Sequence, residues 1–186
     1  MFSVGFYFSY ECDLTLSRSK LGASQTFDSA FLWNEHLFKD IVSQKVDKTW
    51  LVPLIQGFFG TFSCKINDQK LDFYLITRRS NKRAGTRYNA RGVDDDGNVA
   101  NFCETEQLIF FNKYCCSHLQ IRGSVPAFWG QRGLTAQTKI TRSFELTTNA
   151  FVKHFNDIVV KRYMRSLCVN LMAKGKPQEQ MITEVF

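Results

Sequence analysis

Long apolar runs, paired metal ligands and stacking platforms for bases are all missing from this chain. No stretch reaches the roughly 18 consecutive apolar residues that a membrane-spanning helix needs, so no transmembrane segment is expected in the 186 residues. The first residues lack a basic n-region and a small-residue cleavage site, so a secretory signal peptide is not expected either. Six cysteines (Cys12, Cys64, Cys103, Cys115, Cys116 and Cys168) are scattered, with no C-x-x-C pair and no histidine at metal-ligand spacing. Cys115 and Cys116 are neighbours, a poor geometry for bridging each other. Such a pattern reads as reduced thiols in a cytosolic protein rather than a disulfide framework or a zinc site, and neither metal nor cofactor is expected. No internal repeat, low-complexity tract or linker stands out. Basic helices are absent and the aromatics are interleaved with apolar residues as in a core, so nucleic acid is not an expected partner.

What is present points elsewhere. Hydrophobic residues make up 44% of the chain, with 18 phenylalanines, enough for one sizeable core in one domain or part of a larger one. The formal net charge of +7 favours an anionic partner. On charge alone, nucleic acid, an anionic membrane surface and a phosphorylated substrate are all compatible.

Residues 75–109, LITRRSNKRAGTRYNARGVDDDGNVANFCETEQLI, organise the rest. An alternating run (Leu71, Phe73, Leu75) predicts a strand. A dense basic block follows: Arg78, Arg79, Lys82, Arg83, Arg87 and Arg91, with Gly85 inside it and Gly92 closing it. An Asp94-Asp95-Asp96-Gly97-Asn98 turn then leads into a second alternating run over residues 99–109. Guanidinium groups fork onto phosphate oxygens and glycine lets backbone donors approach, so a basic loop between two strands suits a phosphate. The competing reading is structural: Asp94, Asp95, Asp96, Glu104 and Glu106 are at hand to pair with the arginines and hold a loop in place. Arg78 and Arg79 are adjacent, so alternation sends them to opposite faces and only one can join a common anion site.

Elsewhere, Phe2, Val4, Phe6, Phe8 and Tyr10 alternate as in a strand, and Asp13 is placed to cap a helix. Trp33, Leu37 and Ile41, with Phe38 and Val42 beside them, predict a helix over about residues 28–43. Residues 50–62 are an apolar run broken by Pro53, Gly57 and Gly60, strand-like with bends. Residues 117–122 alternate again. A helix over about 148–163, capped by Thr148 or Asn149, carries Phe151, Phe155, Ile158, Val159 and Arg162. Residues 167–172 form a buried-strand candidate, and a short final helix covers residues 178–186.

The string RRS-x3-AGTRYNARGVDDDGNVANFCETEQ closely resembles the hallmark segment of the Sac-domain phosphoinositide phosphatases, the family that includes the synaptojanins. FYFSYECDLT, the Phe31-Leu32-Trp33-Asn34 element, LVPLIQGF, RGSVPAFW, AFVKHF, VNL and KGK are similar to further family elements. Two departures are visible: residues 131–143 carry none of the family's usual prolines, and Tyr163-Met164 stands where the family has Tyr-Gly. The resemblance implies a mixed α/β fold with a central, mostly antiparallel sheet and flanking helices, a partial Sac domain. It implies that residues 1–50 end the N-terminal subdomain and that residues 51–186 form the first half of the catalytic one. It also implies dephosphorylation of phosphatidylinositol monophosphates, such as the 4-phosphate, by a cysteine nucleophile in a Cys-x5-Arg loop backed by a helix N-terminus.

Two such strings occur here, Cys12-DLTLS-Arg18 and Cys116-SHLQI-Arg122. The first falls in an expected helix and the second in an expected strand, where the amides are already committed. No catalytic residue is therefore expected within this chain; by resemblance the nucleophile lies further on. Candidate contacts to substrate or membrane are Lys82, Arg83, Arg87, Arg91 and Arg78. Phosphoinositide lipids at the cytosolic face of endomembranes are the expected partner, with a catalytically dead lipid- or protein-binding module as the alternative. Sheet edges left open by the missing part of the domain should be exposed, making the isolated chain poorly stable.

Overall fold

The computed structural model describes residues 5–21, 27–43, 47, 50–86, 89–131, 137–173 and 175–185. Two compact units divide the chain: Met1–Asn81 with Cys103–Ile121, and Lys82–Phe102 with Arg122–Phe186.

Unit 1 is built on a five-stranded sheet in sequence order, β1 (Gly5–Tyr7), β2 (Ile55–Ile66), β3 (Gln69–Arg79), β4 (Cys103–Phe111) and β5 (Tyr114–Arg122). β2 and β3 form an antiparallel hairpin running from Ile66↔Gln69 to Gln56↔Arg79. Its two-residue turn places Asn67 and Asp68 at positive φ, the backbone twist that matches paired strands and that Asn and Asp tolerate. β3 also pairs antiparallel with β4, from Leu71↔Phe111 to Arg79↔Cys103. The basic stretch therefore leaves the sheet and returns to the same register row. Gly57 is required in β2, because a Cβ there would stand 1.8 Å from the Thr77 carbonyl oxygen across the pair.

Alternation predicted β1, β3, β4 and β5, and a bent apolar run predicted β2, but neither signal told which face is covered. Ile55, Ile76 and Leu108 are buried with Leu14, and Tyr7, Phe59, Tyr74 and Cys115 pack around them. Leu71, Phe73 and Leu75 lie on the opposite face, in rows such as Phe62, Phe73 and Ile109. The N-terminal helix is shorter than its periodicity predicts: α1 spans Glu35–Ser43. Asp28 instead makes a turn, its carboxylate accepting from the Ala30 amide at 3.1 Å and its carbonyl from the Phe31 amide at 3.0 Å. Asn34 is spent on the following segment, donating to the Val52 carbonyl at 2.9 Å and accepting from the Leu54 amide at 3.0 Å. Phe31, Leu32 and Phe38 supply the buried side chains, while Leu37 is exposed. Residues 13–17 are likewise a turn and not a helix. Asp13 accepts from the Thr15 amide at 2.8 Å, which closes a local ring in place of a helical ladder.

In unit 2, β6 (Trp129–Gly130) pairs with β7 (Lys139–Ile140). Helix α2 (Phe144–Lys153) continues through a π-helical stretch, His154–Val160, into α3 (Lys161–Tyr163). It begins earlier than expected because Ser143 is the cap, its side chain accepting from the Leu146 amide. Helix α4 (Pro177–Val185) packs Ile182 against Ala127 and Trp129, with Pro177 in the first turn, where its missing N–H costs nothing. Residues 167–172 do not form the expected buried strand. Leu167 and Leu171 are 90% and 91% exposed, and no strand among the described residues pairs with this segment.

Candidate anion-binding site

The four basic candidates among the described residues, Arg78, Lys82, Arg83 and Arg91, do not share one environment. Arg78 lies in unit 1 on the covered face of β3 and is 1% exposed. Its guanidinium donates to Glu104 Oε1 at 3.0 Å, Glu106 Oε2 at 2.7 Å, the Leu16 carbonyl at 2.8 Å and, through Nε, the Leu14 carbonyl. Glu106 Oε1 in turn accepts from the Arg18 amide at 2.8 Å and from the Ser117 hydroxyl at 2.7 Å. Register explains the cluster: Arg78 is opposite Glu104, and Glu106 is two residues along on the same face. Arg78 thus pins the turn at residues 13–18 to the sheet, and a guanidinium so enclosed presents nothing to a membrane or substrate. For this residue the structural pairing with Glu104 and Glu106 is the one realised.

Lys82, Arg83 and Arg91 belong to unit 2; Arg87 falls outside the described residues. Lys82 and Arg83 are exposed. Arg83 adopts φ +47°, unusual for a bulky side chain, and its Nη2 donates to the Arg91 carbonyl at 2.7 Å. Asn101 braces the loop from inside: its amide donates to the Arg83 carbonyl, its Oδ1 accepts from the Gly85 amide at 3.4 Å, and its Nδ2 donates to the Ala90 carbonyl at 3.3 Å. Nothing in the hydrophobic pattern singled out Asn101; its value rests on φ +56°, which asparagine tolerates. Arg91 is half-buried, with its guanidinium 5.3 Å from the centre of the Trp129 ring and Nη2 3.3 Å from Gln131 Oε1.

The acidic turn forms as its sequence predicts. Asp94 and Asn98 exchange hydrogen bonds at its base, and the Val93↔Val99 bridge continues them. Gly97 sits at φ +83°, and a Cβ there would come within 2.8 Å of the His154 amide nitrogen. His154, at the start of the π-helical stretch, donates through Nδ1–H to the Gly97 carbonyl at 2.9 Å and is packed edge-on to Phe102 and Phe155. Burial pushes its pKa below the ordinary histidine value, opposed in part by that hydrogen bond. Asp95 pairs with an arginine outside the basic block, Arg142, whose hydrogen bond holds the carboxyl below its usual pKa.

Charge is divided unevenly between the units. Unit 1 holds ten basic and ten acidic residues; unit 2 holds fourteen basic and seven acidic, so the whole net charge of +7 resides there.

Neither Cys-x5-Arg string makes a phosphate cradle. Around Cys12 the amides of Thr15, Leu16 and Arg18 donate to Asp13 and Glu106, and Cys116 lies within β5. The first is committed by a turn rather than by the expected helix. Among the described residues no cluster could hold a metal ion, and no helix is long and apolar enough to cross a membrane.

These features describe an α/β chain whose excess positive charge lies in unit 2 and whose two Cys-x5-Arg strings form no phosphate cradle. The model of the SacI homology domain matches residues 2–186, and the chain belongs to that family. It is 39% identical to inositol-1,4,5-trisphosphate 5-phosphatase 1 of Schizosaccharomyces pombe, over 95% of this chain and 18% of that protein. It is 36% identical to phosphatidylinositol-3-phosphatase SAC1-B of Danio rerio, over 97% of this chain and 33% of the relative. Against human synaptojanin-1 the identity is 36%, over 99% of this chain and 12% of the relative. The chain thus spans a third or less of the length of each of these curated relatives.

Proposed function

We propose that this chain is the headgroup-recognising part of a phosphoinositide phosphatase acting on monophosphates such as phosphatidylinositol 4-phosphate. In this reading a cysteine outside the 186 residues performs the hydrolysis, and the protein works peripherally on the cytosolic face of endomembranes. The relatives' names supply the substrate class. The observation that carries the reading is the confinement of the net positive charge to unit 2, with Lys82 and Arg83 exposed on a loop braced by Asn101. Each such residue near an anionic surface adds about 1 kcal/mol of attraction, screened by salt.

Lys82→Ala with Arg83→Ala should weaken binding to phosphatidylinositol 4-phosphate vesicles about tenfold or more while leaving the melting temperature unchanged. In a longer protein that contains the nucleophile, turnover of membrane-embedded substrate should fall more than turnover of a soluble short-chain analogue. Unchanged binding together with a lowered melting temperature would instead assign these residues to the framework.

A second reading, a lipid-binding module without chemistry, is favoured by the committed amides around Cys12 and Cys116. On either reading the 186-residue chain alone should release no phosphate. Release that disappears on Cys12→Ser or Cys116→Ser would place a working nucleophile inside it.

A further inference from the structure

Arg142 and Lys153 flank helix α2 and converge on one residue of the acidic turn. Arg142 donates from both terminal nitrogens to the Asp95 carboxylate, with Nη2 to Oδ2 at 3.2 Å. Its guanidinium lies 4.1 Å from the centre of the buried Phe128 ring, which fixes the plane of the fork before any anion arrives. Lys153 Nζ donates to the Asp95 backbone carbonyl at 2.7 Å, leaving two of its three donors for another acceptor. The pair is not sealed, because the Asp95 and Arg142 side chains are 73% and 42% exposed. An open ion pair of this kind exchanges readily with competing anions.

We infer that Arg142 and Lys153 form a phosphomonoester-binding cradle in which Asp95 of the same chain is a built-in competing anion. A phosphate monoester brings up to two charges and three acceptor oxygens to a fork and an ammonium that now hold one carboxylate and one carbonyl. Asp95 is tethered, so it competes at high effective concentration. The affinity seen by an external phosphate is reduced by the fraction of molecules in which the carboxylate has let go. The acidic turn therefore regulates the cationic unit instead of merely interrupting it. The cradle lies outside the basic loop, and its connection to lipid rests on the function proposed above.

The test compares the wild-type chain, Asp95→Asn, and Asp95→Asn combined with Arg142→Ala. Each is titrated with inorganic phosphate, with phosphatidylinositol 4-phosphate vesicles and with phosphatidylserine vesicles of matched charge. Asp95→Asn should raise affinity for inorganic phosphate and for phosphatidylinositol 4-phosphate vesicles about three- to tenfold, and the added Arg142→Ala should abolish the gain. Phosphatidylserine, whose phosphate is a diester, should gain less. Unchanged affinity in Asp95→Asn at unchanged melting temperature overturns the inference, as does an equal gain on phosphatidylserine, which reflects bulk charge alone. Should the variants unfold, the wild type still decides. The Arg142 Nε–H resonance must shift as inorganic phosphate is added, and a stationary resonance overturns the cradle. If no protein binds phosphatidylinositol 4-phosphate vesicles, the proposed function fails while the inorganic phosphate arm still judges this site. A gain confined to inorganic phosphate retains the cradle and assigns it to soluble phosphomonoesters.

Discussion

Unit 1 and unit 2 use charge in opposite ways. Unit 1 has balanced charge, and its buried arginine is enclosed between two carboxylates under a regular sheet. Unit 2 carries the entire excess of positive charge, and among its exposed arginines Arg83 donates to a backbone carbonyl and Arg142 to an exposed carboxylate. Arg78 and Lys82 are only a few positions apart in sequence, yet one is framework and the other surface. Burial decides the difference: an enclosed guanidinium must have every donor met, and once met it is unavailable to any ligand.

The largest expected effect sharpens this contrast from the unit 1 side. Arg78→Ala leaves Glu104 and Glu106 buried beside a cavity and frees the carbonyls of Leu14 and Leu16. It should cost about 3–5 kcal/mol of stability by chemical denaturation. A loss below about 1 kcal/mol would mean that the cluster behaves like a surface pair and that the contrast is false.

A smaller effect probes how the acidic turn is held in unit 2. Gly97→Ala meets both a left-handed backbone and the His154 amide at 2.8 Å, so it should cost about 1–2 kcal/mol. If the turn regulates the cradle, this variant should also bind phosphate more tightly than the wild type. A thermal melt beside a phosphate titration reads both outcomes.

The smallest effect depends on pH. The folded pKa of His154 is depressed below the ordinary 6.5 by burial, so the unfolded chain binds the proton more readily than the folded one. Stability from this residue is therefore present above about pH 6.5 and declines as pH falls from there toward the lower folded value. His154→Gln should flatten the dependence of melting temperature on pH in that window. An unchanged slope would show that another group governs it.

Much of the strand framework was legible from period-two alternation and turn chemistry. β3, β4 and β5 arise where apolar residues alternate, β2 where an apolar run is bent by glycines, and the Asp-Gly turn forms where its residues demand it. Helix limits were less legible, because capping is a local competition among polar side chains. Asp28 and Asn34 bond to nearby backbone and shorten α1, whereas Ser143, inconspicuous at the end of a polar loop, starts α2. Residues 167–172 are apolar enough for a buried strand, but a strand needs a neighbour to take its hydrogen bonds, and that is not a property of the segment itself.

For the candidate site, the sequence by itself determined that a cationic, glycine-containing loop lies between two strands and is followed by an acidic turn. It also determined that Arg78 and Arg79 must part to opposite faces. Only the tertiary structure decided which of the two is buried, because that depends on which face of the sheet receives Leu14 and the turn around it. Only it could join Asp95 to Arg142 and Asn101 to both ends of the basic loop, since these pairings cross long stretches of chain and depend on where the backbone returns. Periodicity reports the faces of a local element; partners across space are set by register and packing, to which no local pattern is sensitive.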